Sequence, residues 1–183
     1  MRHLTDQTML GGIEMKNRFV RAAVGDHTDG GHLSEETYSL YRTLAEGGAA
    51  LLITGFAVVD PKEQIAGIFS LADDALVPEY QQLTKMVHDA GSKIAAQLAY
   101  LCGFAPVDRP LAPSDGKNIY TQIETFEMTL DEIGQMKQYF ASAAVARRRW
   151  VSTVWKCMRL TDSCITSSSL PRRTVAPTSM AAL

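Results

Sequence analysis

Cysteine is scarce in this chain and falls into no pattern. The spacing of its three, Cys102, Cys157 and Cys164, supplies neither a disulfide framework nor a metal-ligand pair, which excludes a disulfide-stapled secreted domain and a zinc module. Long hydrophobic runs are missing too. The longest, Ala49 to Val59, is broken by Thr54 and Gly55 and falls far short of the roughly 20 apolar residues that cross a bilayer. The opening segment, MRHLTDQTML, lacks the apolar centre of a secretory signal, so the expected location is the cytoplasm. What is present is 46% hydrophobic and 21% charged content over 183 residues, the composition of one soluble globular domain with a sizeable core.

The net charge of −2 hides a division along the chain. Residues 1–146 hold 11 Lys and Arg against 19 Asp and Glu, whereas residues 147–183 hold 7 basic residues and one acidic one. All 13 glycines precede residue 147, both tryptophans (Trp150 and Trp155) follow it, and 11 of the last 37 residues are Ser or Thr. A shift of that size marks a boundary or a tail. We therefore divide the chain into 1–146 and 147–183.

Within the first part, apolar runs alternate with helical periodicity. Phe19 to Ala23 reads as a strand, and Gly25, Asp26, Asp29, Gly30 and Gly31 punctuate the loop behind it. Ser34, followed by Glu35 and Glu36, has the features of a helix N-cap, and Tyr38, Tyr41, Leu44 and Ala45 recur at helical spacing up to Gly47. Ala49 to Thr54 is a second strand, of the continuous apolar kind that parallel sheets bury on both faces. A helix from about Pro78 to Gly91, a third strand from Ile94 to Ala99, and a Pro-rich excursion over 106–114 follow. Thr129 and Glu132 have capping-box spacing and open a third helix, expected to run to about Arg147.

This βα succession implies α/β architecture with a parallel sheet covered by helices. A doubly wound sheet and a (β/α)8 barrel both fit. The loop after the first strand has no GxGxxG, which weighs against a dinucleotide fold. A whole barrel needs about 250 residues and eight strands, and three βα units are spelled out here. Either architecture places function at the carboxyl ends of the strands.

Five segments resemble one family in order and spacing: MKNRFVRAA (Met15 to Ala23), YRTLAEGGAALLITG (Tyr41 to Gly55), VDP (Val59 to Pro61), AAQLA (Ala95 to Ala99) and APS (Ala112 to Ser114). They resemble the old yellow enzyme family of NADH:flavin oxidoreductases over residues 9 to about 147. The resemblance implies the N-terminal part of a (β/α)8 TIM barrel, with FMN at the carboxyl-end mouth and NADH or NADPH as reductant. It further implies a small-molecule substrate, an activated alkene in an α,β-unsaturated carbonyl compound. It places the backbone of Ala22, Ala23, Val24 and Gly25 against the flavin, with Gly55 and Phe56 approaching the ring system. Gln97 matches the family glutamine whose amide both donates to and accepts from the flavin pyrimidine. His27 stands where the family touches substrate, although beside Asp26 and Asp29 its ordinary reading is a solvated loop histidine.

The chain departs from the family at several places. Ala23 replaces the usual Pro, and Gly25 the usual Thr or Cys, so redox tuning by that side chain is lost. Tyr100, Leu101, Cys102 and Gly103 stand where the family has HAGR. After the third helix the family continues with a strand like GFDGVEIHxAHGYL, whereas this chain has WVSTVWKCMRL. Taking the third base of each codon with the first two of the next permits GFDGVEMHAAHGFL here. Trp150 with Val151 can only give Gly, Trp155 with Lys156 only Glu, and Met180 with Ala181 only Gly. A one-base slip near codons 146 to 150 would account for the lost glycines, the tryptophans and the charge reversal together.

On this reading residues 147–183 are a frame-shifted, irregular basic tail. The family's proton-donating tyrosine, its carbonyl-polarising His with His or Asn, and its later phosphate-binding turns are matched by no motif in the chain, so we assign no catalytic residue. The expectation is an FMN-dependent ene-reductase fragment, inactive as it stands and prone to self-association through an incomplete barrel. The alternative is a non-catalytic binding protein with a basic arm. Arg147, Arg148 and Arg149 read as a solvated helix end that suits the helix dipole rather than as a nucleic-acid surface. No metal site and no membrane segment are expected.

Overall fold

The computed structural model describes residues 3–118, 120–150 and 154–157. A hairpin of β1 (Thr8–Leu10) and β2 (Ile13–Met15) opens the chain, turned by Gly11 and Gly12 at positive φ. Next come β3 (Val20–Arg21), the small hairpin β4 (Thr28–Asp29) and β5 (His32–Leu33), and α1 (Glu35–Glu46). β6 (Leu51–Val58), β7 (Phe69–Ser70), α2 (Val77–Asp89) and β8 (Lys93–Ala99) follow. The excursion after β8 folds into a small sheet of β9 (Leu111–Ala112), β10 (Gly116–Lys117) and β11 (Glu124–Glu127). The described chain ends with α3 (Leu130–Trp150) and β12 (Val154–Cys157).

The helix starts follow their local chemistry. Ser34 caps α1 by accepting from the Thr37 N–H at 3.1 Å, and Pro78 occupies the first turn of α2. Glu132 accepts from the Thr129 N–H at 2.8 Å while Thr129 Oγ1 accepts from the Glu132 N–H at 3.3 Å, which completes the reciprocal box at the start of α3. α3 runs past the composition change at residue 147. β12 is extended and parallel to β8, with Val154 and Trp155 beside Ala95 and Ala96. The frame-shift reading of the rest of the tail lies outside the described residues.

Strand order decides between the two architectures. The main sheet runs β12-β8-β6-β3, all parallel, so successive βα units lie side by side in chain order. A doubly wound sheet reverses its order at a switch point, whereas a barrel does not. The helices confirm this by their faces. Tyr41 and Ala45 of α1, Tyr80, Leu83 and Val87 of α2, and Met136 and Ala143 of α3 pack in one cluster against Leu52 and Ala57 of β6 and Ile94, Ala96 and Leu98 of β8. All three helices therefore cover a single face of the sheet, as they do around a barrel. Met15 packs with Ala50, Leu51 and Ala95 under the amino ends of the strands.

The MKNRF segment works at that same lower end. Lys16 Nζ donates to Ala45 O at 3.1 Å and Ala90 O at 3.0 Å, satisfying terminal carbonyls of α1 and α2 together, and Asn17 Nδ2 donates to Gly48 O at 2.7 Å. These residues tie the bottom of the fold, while the carboxyl ends of the strands carry the candidate site.

Candidate functional site

β6 and β8 begin in simple register, with Ile53 beside Ala95, and resume with Phe56 beside Gln97. Three residues of one strand thus match two of the other, and Thr54 and Gly55 form a bulge. Its consequence is directional. Leu52 and Ala57 face the helices, so alternation on either side of the bulge leaves Ile53 and Phe56 on the opposite, inner face with Gln97. The second strand predicted over Ala49 to Thr54 in fact continues through this bulge to Val58.

The bulge is held from the side by a buried charged group. Asp26 is 4% exposed. Its Oδ2 accepts from the Gly55 N–H at 2.6 Å and from the Tyr41 hydroxyl at 3.2 Å, while Oδ1 accepts from Arg21 Nη2 at 2.9 Å. Arg21 Nη1 also donates to Tyr41 Oη at 2.9 Å and to Ile53 O at 2.8 Å, with the guanidinium 5.0 Å from the Tyr41 ring centroid. Burial and the neighbouring Asp26 push the Tyr41 phenol far above its ordinary range, so it serves here as a neutral donor. In the sequence Asp26 read as loop punctuation and Arg21 as part of a strand. The pairing of an Arg and an Asp five residues apart across a strand end was the available signal.

The residues singled out from the sequence now have places. Ala22, Val24 and Gly25 are exposed on the segment leaving β3, Ala23 is partly exposed, and Val24 is 61% exposed. Gly55 packs against the same segment: a Cβ there would stand 2.6 Å from Val24 O. Phe56 is 39% exposed although it lies within a central strand, and Gln97 beside it is 4% exposed. A Cβ on Gly25 would meet nothing within 4 Å. Open backbone, one partly exposed aromatic ring and one buried amide on the same strand ends fit a planar group with an apolar face and a hydrogen-bonding edge. His27 is placed otherwise. Its carbonyl accepts from Ser34 Oγ at 2.7 Å and Thr37 Oγ1 at 2.5 Å, tying the loop to α1, while its exposed imidazole lies 3.6 Å from Glu36.

A second buried carboxyl shapes the loop beyond β8. Glu63, 3% exposed, accepts from the Leu101 N–H at 2.6 Å and the Cys102 N–H at 3.2 Å. Burial pushes its pKa up to about 7, with Asp60 adding to the rise and the two backbone donors opposing it. Tyr100, Leu101 and Cys102 are all buried here, and Cys102 takes a positive φ of 47° before Gly103 at 86°. Cys102, whose spacing in the sequence indicates no disulfide framework, is disulfide-bonded. Among the described residues no group of three or more His, Cys, Asp and Glu could hold a metal ion, and no helix is long and apolar enough to cross a membrane.

Comparison with known proteins bears on this arrangement. The chain superposes on the old yellow enzyme of a Pichia species with a TM-score of 0.76 at 24% identity, over 84% of this chain and 45% of that one. It superposes on morphinone reductase in complex with tetrahydroNAD with a TM-score of 0.76 at 17% identity, over 86% and 49%. These likenesses show the fold to be the N-terminal part of the barrel. Among curated proteins, the metal reductase of Desulforamulus reducens is 29% identical over 147 residues, and the NADH oxidase of Thermoanaerobacter brockii 26% identical over 152. The matches take in 77% and 78% of this chain but 22% and 23% of those proteins, so the chain spans under a quarter of the length of these relatives. Residues 8–149 match the sequence model of the NADH:flavin oxidoreductase / NADH oxidase family, and the chain belongs to that oxidoreductase family.

Proposed function

We propose that this chain forms the flavin-facing first part of an FMN-dependent NAD(P)H oxidoreductase of the ene-reductase type. The observation that carries the reading is the convergence of three strand ends: the exposed Ala22–Gly25 backbone, the Gly55 bulge with Phe56, and the Gln97 amide in register with Phe56. When bound, FMN would supply hydride transfer from NADH or NADPH to the β-carbon of an α,β-unsaturated carbonyl compound. The protein's own contribution is positional. The Ala22–Gly25 backbone offers a surface without bulky side chains, Phe56 offers an apolar wall, and Gln97 can present both a donor and an acceptor to a ring edge. Gly25 leaves that edge without a hydroxyl or thiol of its own, so a side chain at this position does not tune the potential.

No residue of this chain takes the proton donor's role in this reading, and the metal reductase, NADH oxidase and cinnamate reductase activities of the relatives belong to much longer proteins. The test has two arms. Equilibrium titration with FMN, followed by flavin fluorescence and the visible absorbance band, measures cofactor binding, and alkene-dependent oxidation of NAD(P)H measures turnover. Binding without turnover is the expected result, and absence of both removes the reading. Sequencing the gene across codons 140 to 155 tests the proposed slip of frame: codons that cannot yield the GFDGVEMH string in another frame would refute it.

A further inference from the structure

Between β3 and β6 the backbone ladder is very short. Val20 pairs with Leu51 and Arg21 with Leu52, and no pairing between the two strands continues past that point among the described residues. The candidate site begins one residue further on, at Ala22. What joins the two strands there is a side chain. Asp26 reaches from the loop after β3 to the Gly55 N–H in the β6 bulge at 2.6 Å, and its other oxygen holds Arg21 of β3 at 2.9 Å.

We propose that Asp26 is a positioning residue that locks the carboxyl ends of β3 and β6 together, setting the Ala22–Gly25 backbone and the Gly55–Phe56 bulge at one fixed separation. The inference rests on the flavin-site reading for its purpose, but the lock itself is independent of it. A bulge leaves one backbone N–H without its ladder partner, and a buried N–H must find another acceptor. Asp26 supplies that acceptor with a charged oxygen, and Arg21 compensates the buried charge. The guanidinium in turn holds Ile53 O, the last position before the bulge. Both flanks of the irregularity are thereby fixed by one ion pair.

The chemistry is specific to these two residue types. In Asp26→Asn the amide nitrogen must face either the Gly55 N–H or the Arg21 guanidinium, so a donor meets a donor in either orientation. Lysine in place of Arg21 keeps the charge but loses the planar fork that serves Asp26, Tyr41 and Ile53 at once. Tyr41→Phe removes a hydroxyl that touches both partners yet leaves the link from Arg21 through Asp26 to Gly55 in place.

The experiment uses the full chain and its D26N, R21K and Y41F variants, with two readouts on each. Amide hydrogen exchange of the segment covering Leu51–Val58 reports the lock, and titration with FMN reports its consequence. The expected result is at least tenfold faster exchange around Gly55 and at least tenfold weaker FMN binding in D26N, an intermediate effect in R21K, and both readouts within about threefold of the parent in Y41F. If D26N does not fold, R21K against Y41F decides the same question. Equal loss in D26N and Y41F would reduce Asp26 to a general contributor to stability and overturn the proposal, as would unchanged exchange at Gly55. If the parent itself does not titrate with FMN, the flavin reading falls while the exchange comparison still decides the lock.

Discussion

Phe56 stands directly beside Gln97, three residues beyond Ile53 on one strand and two beyond Ala95 on the other. That one-residue difference sets the candidate site. In a regular ladder Gly55 would face Gln97 and Phe56 would be on the helix side with Tyr41 and Tyr80. With the bulge, an aromatic wall and an amide lie next to each other on the inner face.

Gly55 is therefore the least replaceable residue of the site. In Gly55→Ala the new Cβ would stand 2.6 Å from Val24 O and 2.7 Å from Asp26 Oδ2, one a backbone atom and the other fixed by an ion pair. Overpacking of this kind costs about 1–3 kcal/mol. A lowered urea midpoint with unchanged slope, together with weaker FMN binding, is the expected outcome, and an unchanged midpoint would contradict the close packing.

Gln97→Leu separates binding from folding. The substitution keeps the side-chain volume on a buried inner-face position, so the midpoint of unfolding should change little. FMN binding should weaken by tenfold or more, the equivalent of about 1.4 kcal/mol for a lost pair of hydrogen bonds to the ring. Titration of the variant with FMN measures this, and equal affinity would remove Gln97 from the cofactor contacts.

Glu63 makes stability depend on pH in the reverse of the usual carboxylate sense. Its folded-state pKa of about 7 lies above the ordinary 4.5. Its contribution is thus fully present below pH 4.5 and is lost as pH rises through about 7, by on the order of 3 kcal/mol in all. Denaturation midpoints measured between pH 5 and pH 8 should fall along this course, and in Glu63→Gln the slope should flatten. A slope that persists in the variant would place its origin elsewhere.

Lys16 tests the lower end of the fold. Lys16→Met keeps the apolar stem but removes the two bonds to Ala45 O and Ala90 O. Charge-assisted hydrogen bonds contribute roughly 1.5–3 kcal/mol each at most, so a loss of about 2 kcal/mol in thermal unfolding is expected, with FMN affinity in the folded protein unaltered. A variant that loses FMN affinity without losing stability would contradict the division between a stabilising bottom and a binding top.

Much of this was legible in the chain itself. The helix starts at Ser34, Pro78 and Thr129 are local matters of capping, decided within four residues, and all three occur where the residues indicate. The strands over Leu51–Val58 and Lys93–Ala99 follow from apolar runs that only a covered parallel sheet can bury. The first strand is shorter than its apolar run, because Phe19 to Ala23 includes residues that find no ladder partner.

Composition and periodicity by themselves determined an α/β chain with βα units and function at the strand ends, since each of those features depends on residues near one another in sequence. Only the tertiary structure decided that the units wind one way around a barrel, because strand order is a matter of which surfaces meet. It alone revealed the Asp26 lock and the Glu63 latch. Both depend on backbone N–H groups, of Gly55, Leu101 and Cys102, whose need for an acceptor arises only when a bulge or a turn has been buried.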